Sequence, residues 1–389
     1  MLSPTATGAR RVLGGRPWLP INKAAALQSR CLSMSPALRG GHVVTFGETS
    51  NPELAEILSE LRQKVFLPTY LAAEQRKKIH DRKLADVLRN DPVTMEIDGV
   101  VHKFRYVDRM TEMPNTRKAL RRVFDCMKTP ADFKNVPPLL EGCVRARRQV
   151  DPDILTKLIR RASMHGSLQV ILDCVRGVAR TGFKLDTSEK INELLTWIQH
   201  PAIVSGFNKA KTQTALKQVQ LILNILESEQ KHWPTKESGG RFPFYRDPQM
   251  LAARLHMAAA MAVYHQEGHD ETGKVTKYAE ELVTLWPENA GLLDLQPDES
   301  YRSKTKMQYL LDRNQYLWIA SPVLNGLTIA TQVVDPALAM QLQNRADAVE
   351  AEVRAALNSD KRKMGGRGEL MYDTLFNPQA NAGEAEEEA

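Results

Sequence analysis

Arginine is the residue type in this sequence whose number and spacing best suit a chemical task. Between residues 117 and 161 there are 12 Lys or Arg residues and only five acidic residues. Arginine keeps its charge at physiological pH and donates paired hydrogen bonds to phosphate oxygens. The pattern predicts contact with RNA phosphates; the alternative is a solubilising surface partly balanced by Glu141, Asp151 and Asp153. The arginines concerned are Arg145, Arg147, Arg148, Arg160 and Arg161.

No pattern of catalytic or metal-binding residues accompanies these arginines. The sequence has no Walker phosphate loop, no GxGxxG fingerprint and no HExxH pair. His265 and His269 are four residues apart, but Gly268 interrupts the helix that would align them, and no third ligand is indicated. The four cysteines lack CxxC spacing, which indicates neither a zinc site nor a disulfide framework. We therefore expect a non-enzymatic protein that needs no metal or cofactor.

The first 47 residues have the composition of a mitochondrial transit peptide. They contain six Lys or Arg residues, no acidic residue, several serines and interspersed apolar residues. The sequence from Arg30 to Ser33 resembles a matrix-processing site, with cleavage after Leu32. The alternative is a disordered basic tail. The leader predicts localisation to the mitochondrial matrix. It also carries most of the net charge of +7, so the overall basic pI is poor support for nucleic-acid binding.

Apolar spacing predicts two short helices, joined by a tight turn, at the end of the arginine cluster. Leu158 and Ile159 lie on one helical face, and Gly166 then interrupts the pattern as a glycine at a helix C-terminus does. A second apolar run follows over residues 168–178, and Gly182 closes it. The pattern predicts an αα-hairpin, which needs stacked neighbours to bury its apolar face.

The segment from Pro152 to Asp186 resembles a pentatricopeptide (PPR) repeat. The residues that carry the resemblance are Leu158, Ile159, Gly166, Gly182 and Asp186, and those that depart from the family pattern are Ile171, Val178 and Leu185. PPR proteins read one RNA base per repeat through two or three side chains. The resemblance implies that Thr156 and Asp186 contact a base, with a preference for guanine. The alternative is that Thr156 is a solvated helix residue and Asp186 an N-cap for a helix starting near Thr187.

The whole pattern predicts an all-α fold of αα-hairpin repeats, a PPR-like or tetratricopeptide (TPR)-like solenoid, with one small β-hairpin. Val93 to Tyr106 alternates apolar and polar residues around Asp98-Gly99, a strong hairpin signal. No apolar run reaches the roughly 20 residues that a membrane span needs. The predicted regions are the leader 1–47, helices plus hairpin 48–115, repeats 116–230, a linker 231–246, a C-terminal helical region 247–360 and a disordered tail 361–389.

Two further helical segments have consequences for function. Glu74 to Leu88 is dense in Lys and Arg and predicts a basic surface helix, either solvated or in contact with phosphate. Thr187 to Glu227 predicts a helix pair joined by Pro201 to Asn208. We expect Trp197 in this pair to lie in the core or between repeats rather than to stack on a base.

These observations support two functions of different classes. The first is RNA binding in mitochondrial gene expression, either directly to RNA or as part of a ribonucleoprotein such as the mitochondrial ribosome. The second is a scaffold that binds other mitochondrial proteins, for example an assembly factor for a respiratory complex, since stacked helices offer surfaces for peptides as well. The basic cluster favours the first function, and the near-neutral charge outside the leader favours the second.

Overall fold

The computed structural model describes residues 43–359 and 366–378. The chain divides into two units, Met1–His42 and Val43–Ala389. The first unit lies outside the described residues, and so does the predicted processing site after Leu32. In its described part, the second unit is mainly helical and contains one two-stranded sheet.

The small β-hairpin is confirmed. Strand β1 (Val93–Ile97) pairs antiparallel with strand β2 (Val100–Phe104). Asp98 and Gly99 both have positive φ, 51° and 77°, which is the backbone that a two-residue type I′ turn requires. An isolated hairpin is marginal in water, so its packing contacts determine whether it forms.

Those contacts come from a small apolar cluster that is separate from the main core. It comprises Val43, Leu67, Leu71, Ile79 and Phe104, with the inward residues of β1 packed against it. The Val43 amide donates to Asp98 Oδ2 at 2.9 Å, which ties the chain before the first helix to the hairpin turn. Residues 43–47, which composition alone assigns to the leader, therefore contribute to the folded unit.

Two helices of the first half begin at asparagine caps that the sequence signals. Asn51 Oδ1 accepts from the Glu53 amide at 2.9 Å, and Asn115 Oδ1 accepts from the Lys118 amide at 3.1 Å. The helices of this half are α1 (Pro52–Leu61), α2 (Ala73–Lys78), α3 (Ala85–Asn90), α4 (Thr116–Cys126), α5 (Pro130–Phe133), α6 (Val136–Arg145), α7 (Pro152–Met164), α8 (Leu168–Arg176) and α9 (Val178–Thr181).

Most helices of the second half are longer, and three of them follow a capping aspartate. Asp247, Asp312 and Asp335 each accept backbone hydrogen bonds at the start of a helix. The helices of this half are α10 (Ser188–Val204), α11 (Lys209–Ser228), α12 (Pro248–His265), α13 (Lys274–Leu285), α14 (Asp298–Arg302), α15 (Arg313–Ala330), α16 (Pro336–Asn358) and α17 (Arg367–Phe376).

The segment that resembles a PPR repeat folds as α7 and α8 with a glycine turn between them. Gly166 has φ 68° in the turn, and Gly182 has φ 65° where α9 ends. These features agree with the αα-hairpin predicted from apolar spacing. The mainly helical fold with a small hairpin is thereby confirmed, whereas the PPR- or TPR-like solenoid stays a prediction.

The prediction of one continuous basic helix over Glu74–Leu88 is wrong. The segment is broken into α2, a 3₁₀ turn at Arg82–Leu84, and α3. The Val107 amide, just after β2, donates to the Ile79 carbonyl at 3.0 Å. That hydrogen bond takes the carbonyl that a continuing helix would use, and burial of Ile79 under the hairpin fixes the break.

Two other boundaries differ from the predictions. Pro201 lies inside α10 rather than in the loop after it. Continuing the helix to Val204 buries Ala202 and Ile203, which offsets the hydrogen bond that proline cannot donate. The tail predicted as disordered contains α17, where Gly368 allows close approach: an added Cβ would lie 2.2 Å from the Asn314 carbonyl oxygen.

One apolar core extends through the described helices, with α10, α12 and α15 at its centre. The His256 ring on α12 contacts the side-chain amides of Gln199 on α10 and Asn325 on α15 at 2.8 Å and 3.0 Å. Burial lowers the pKa of His256 to about 3, so the ring is neutral. At the crossing of α12 and α15, Gly326 lies against His256, and alanines along α12 allow the two backbones to come close.

We predict that Gly326→Ala lowers the free energy of unfolding by about 1–3 kcal/mol, because overpacking forces a well-packed contact apart. The added Cβ would lie 2.6 Å from His256 Cβ and 2.9 Å from its Cα, which belongs to the backbone. Gly47→Ala is the matched control, since its Cβ meets only Asn135 Oδ1 at 3.8 Å. Urea denaturation of both variants measures the difference; equal stabilities would contradict the close crossing.

Candidate nucleic-acid interface

Arg160 of the predicted cluster is partly buried and pairs with a buried acid. Its Nε donates to Glu193 Oε1 at 3.0 Å. Glu193 lies on α10, is 3% exposed, and also accepts hydrogen bonds from both terminal nitrogens of Arg367 and from Trp197 Nε1. Burial opposes ionisation of this carboxyl, but hydrogen bonds and charge from Arg367 and Arg160 outweigh it and lower the pKa of Glu193. Arg160 therefore neutralises a buried acid.

Arg161 is also engaged within the protein. Its Nη1 donates to Asp125 Oδ1 at 2.9 Å, and its Nη2 donates to the Asp125 carbonyl oxygen at 2.9 Å. These two bonds join α7 to the end of α4. Both terminal nitrogens of the Arg161 guanidinium are engaged in the forked geometry that also binds phosphate. Few of its hydrogen-bond donors therefore remain for RNA.

Arg145, Arg147 and Arg148 lie in a different setting, at the exposed C-terminus of α6. The amide of Arg147 donates to the Val144 carbonyl at 3.0 Å and that of Arg148 to the Cys143 carbonyl at 2.8 Å. This is the Schellman arrangement of a helix end, with Arg147 at φ 52° where glycine is usual. The turn places three cationic residues together where the helix ends.

Among the described residues, no acid forms an ion pair with any of these three arginines. The guanidinium of Arg145 lies over the Tyr70 ring, 4.2 Å from its centre. Within residues 43–359 and 366–378, neither Arg147 nor Arg148 forms an ion pair. The structure thus separates the predicted cluster into two ion-paired residues, Arg160 and Arg161, and an exposed group at the end of α6.

Thr156 and Asp186 have other partners in the structure. Thr156 is 4% exposed, and its Oγ1 donates to the Pro152 carbonyl within the same helix at 3.2 Å. Asp186 accepts from the Lys190 ammonium, which is buried one turn into α10. The prediction that Thr156 is solvated is wrong, and so is the N-cap role of Asp186, because the residue preceding α10 is Thr187.

Sequence reasoning missed several basic residues that approach the end of α6 in space. Arg148 shares a cavity of about 420 Å³ with side chains from the turn after α1, from α2, and from the chain following β2. The density of Lys and Arg after residue 74 signals a basic surface in the sequence. A continuous helix would not bring these residues to the end of α6, so the prediction does not show where they meet. Arg76 and His80 belong to the predicted basic helix, whereas Lys64 and Arg109 lie in no segment predicted to be basic.

Sites of other kinds are not formed by the described residues. In the part of the chain that the structure describes, no three His, Cys, Asp or Glu residues are grouped to hold a metal ion. Among those same residues, no helix combines the length and apolar character required to cross a membrane. Cys143 and Cys174 are buried, and burial raises the pKa of each thiol to about 12, so both are protonated packing residues.

Comparison with known proteins decides the family. A family model described as mitochondrial ribosomal protein mS27 matches residues 30–374. The small ribosomal subunit protein mS27 of Neurospora crassa is 42% identical over 350 residues, which cover 85% of this chain and 88% of that protein. The chain belongs to the mitochondrial ribosomal protein mS27 family.

The match to the mS27 family spans both parts of the arginine cluster. It includes α6 and its exposed end, the ion-paired Arg160 and Arg161, and Glu193 with its Arg367 partner. The resemblance to a PPR repeat concerns only Pro152 to Asp186, and repeat-type base reading by this segment stays a prediction. The mS27 family is one of ribosomal proteins, which indicates a structural rather than an enzymatic role.

We predict that Glu193→Gln lowers the free energy of unfolding at pH 7 by about 3–5 kcal/mol, because it leaves two guanidinium groups without their buried counter-charge. The folded-state pKa of Glu193 is lowered from an unfolded value of about 4.3. Its stabilisation is therefore complete above that value and is lost as the pH falls through the folded pKa. Urea denaturation at decreasing pH should show the wild type approaching the variant.

Asp125→Asn is the matched control for this prediction. The Asp125 side chain is 70% exposed, so solvent screens its ion pair with Arg161 and the substitution should cost much less. Equal losses in the two variants, or a stability difference for Glu193→Gln that does not change with pH, would contradict the assigned role of Glu193.

Proposed function

We propose that this protein is a structural component of the small subunit of the mitochondrial ribosome and acts in mitochondrial translation without catalysing a reaction. The observation that carries this proposal is the match to the mS27 family over residues 30–374, together with the similarity to the Neurospora crassa protein along most of both chains. The composition of residues 1–47 supports import into the mitochondrial matrix.

Within that role, Arg145, Arg147 and Arg148 contact ribosomal RNA phosphates. They are exposed at one helix end, and Arg147 and Arg148 lack acidic partners among the described residues. Phosphate contacts supply affinity and fix orientation without reading sequence. Arg160 and Arg161 act differently, since both stabilise the packing of α7, and we assign neither of them to RNA.

The alternative function, a scaffold for assembly of a respiratory complex, is less well supported. The near-neutral charge of the chain beyond residue 47 suits protein partners, and exposed helix faces are available to neighbouring ribosomal proteins. However, the family match is to ribosomal proteins. A role inside the ribosome accommodates both RNA and protein contacts.

Gradient sedimentation of mitochondrial lysates is the direct test. The protein should sediment with the small ribosomal subunit, and crosslinking should recover ribosomal RNA with it. Arg147→Glu combined with Arg148→Glu should reduce RNA recovery by about tenfold, because phosphate affinity depends on the number of cationic contacts. Lys209→Glu with Lys211→Glu makes the same charge change at exposed positions on α11 and should have little effect.

Two results would contradict this proposal. A protein that sediments apart from ribosomal particles, yields no RNA on crosslinking and co-purifies with respiratory-complex subunits would establish the scaffold function. If instead RNA recovery persists in the double arginine variant, the protein contacts RNA elsewhere and the assignment to the end of α6 is wrong.

A further inference from the structure

A second basic cavity adjoins the one that contains Arg148. It has a volume of about 440 Å³ and lies between the turn after α1, strand β2 and the chain that leaves β2. Its floor includes Leu67, Ile79 and Phe104, which belong to the small apolar cluster beneath the hairpin. The basic residues that line it are Arg62, Lys64, His80, His102, Lys103 and Arg105.

The two cavities adjoin each other. Lys64, Pro68 and His80 line both of them and form a shared wall. We name the two together the basic cleft. Of the described residues, no Asp or Glu lines either cavity. Clefts lined by charge of one sign focus the electrostatic field and attract ligands of the opposite sign.

Several of the cleft cations are free to bind a ligand. Lys103, Arg105 and Arg109 are exposed and form no ion pair within the described residues. Lys64 has an acidic partner, with its Nζ 2.8 Å from Glu60 Oε1, but that contact lies at the partly exposed rim. Asp108, next to Arg109, is occupied by the Met110 amide, which donates to its Oδ1 at 2.8 Å.

The cleft is held in place by packing and by hydrogen bonds. Arg62 Nε donates to the Val44 carbonyl at 2.8 Å. The His80 ring nitrogen Nδ1 donates to the Val107 carbonyl at 2.9 Å, because a carbonyl can only accept. This bond joins α2 to the chain after β2 beside the Val107–Ile79 backbone bond. Arg62 and His80 are therefore positioned before any ligand arrives.

We propose that the basic cleft holds successive phosphates of one RNA strand. The proposal rests on the function proposed above and assigns a site whose basic residues, apart from Arg148, lie outside the arginine cluster. Each cavity offers several cations to the phosphodiester backbone, and because the two cavities adjoin, one strand can reach both. Among the described residues that line the cleft, Phe104 is the one Phe, Tyr or Trp, and it is buried, so charged side chains dominate the accessible lining. Binding is therefore independent of base sequence.

Binding of a fluorescent 12-nucleotide oligouridylate to the purified full-length protein tests this proposal. Affinity should fall with salt, with a slope of about 0.7 per phosphate contacted on a logarithmic plot. An oligomer of the same sequence with an uncharged methylphosphonate backbone should not bind detectably. Equal binding of both oligomers would show that bases rather than phosphates are recognised and would overturn the proposal.

Charge reversals locate the site. Arg76→Glu with Arg109→Glu alters one cavity, and Lys103→Glu with Arg105→Glu alters the other. Each pair should reduce affinity by about tenfold and lower the salt slope, because phosphate contacts are lost. Lys209→Glu with Lys211→Glu on α11 is the matched control and should change affinity by less than about twofold. Unchanged thermal midpoints would confirm that the variants fold.

Different results would contradict different parts of the proposal. If only one cavity variant weakens binding, the two-cavity path is wrong. If the control weakens binding as much as the cleft variants, or if an acidic peptide binds while RNA does not, the cleft is not an RNA site. Sedimentation with the small subunit tests the proposed function independently: a protein that sediments with the subunit but binds no oligouridylate overturns the cleft alone.

Discussion

The buried carboxylate of Glu193 is the interaction on which the packing of the described helices depends. A charge in this position is tolerated only with full compensation, and the donors come from three places: Arg160 on α7, Arg367 on α17, and Trp197 one turn along α10. The Arg367 guanidinium also lies 4.8 Å from the centre of the Trp318 ring on α15. One charge therefore fixes how α7 and α17 pack around α10 and α15.

The same constraint separates the arginines of the cluster by function. Arg160 lies opposite a buried acid, so moving it to a ligand would leave Glu193 undercompensated and destabilise the protein. Arg147 and Arg148 lie past a helix end, where no described acid pairs with them. Closeness in sequence is thus a poor guide to shared function, because one turn of α7 and the end of α6 differ in what packs against them.

Local signals explain what the sequence predicts correctly. The cap at Asn51, the Asp98-Gly99 turn and the glycine at 166 depend on residues within a few positions of each other. The missed features depend on contacts between distant segments. The Val107–Ile79 hydrogen bond breaks the basic helix, and the Arg367–Glu193 ion pair, which spans 174 positions, orders a segment predicted as tail. Periodicity and composition carry no information about such partners, so they predict neither the cleft nor the role of Glu193.

The basic cleft shows the opposite electrostatic arrangement from Glu193. At Glu193 the protein brings cations to an anion and completes the pairing internally. In the cleft it brings cations together from the turn after α1, from α2 and from the chain after β2, and its described lining contains no carboxylate. Their mutual repulsion opposes folding, and the small cluster around Ile79 and Phe104 holds these segments together. A polyanion that binds the folded cleft relieves this repulsion, so ligand binding and stability of this region are thermodynamically linked.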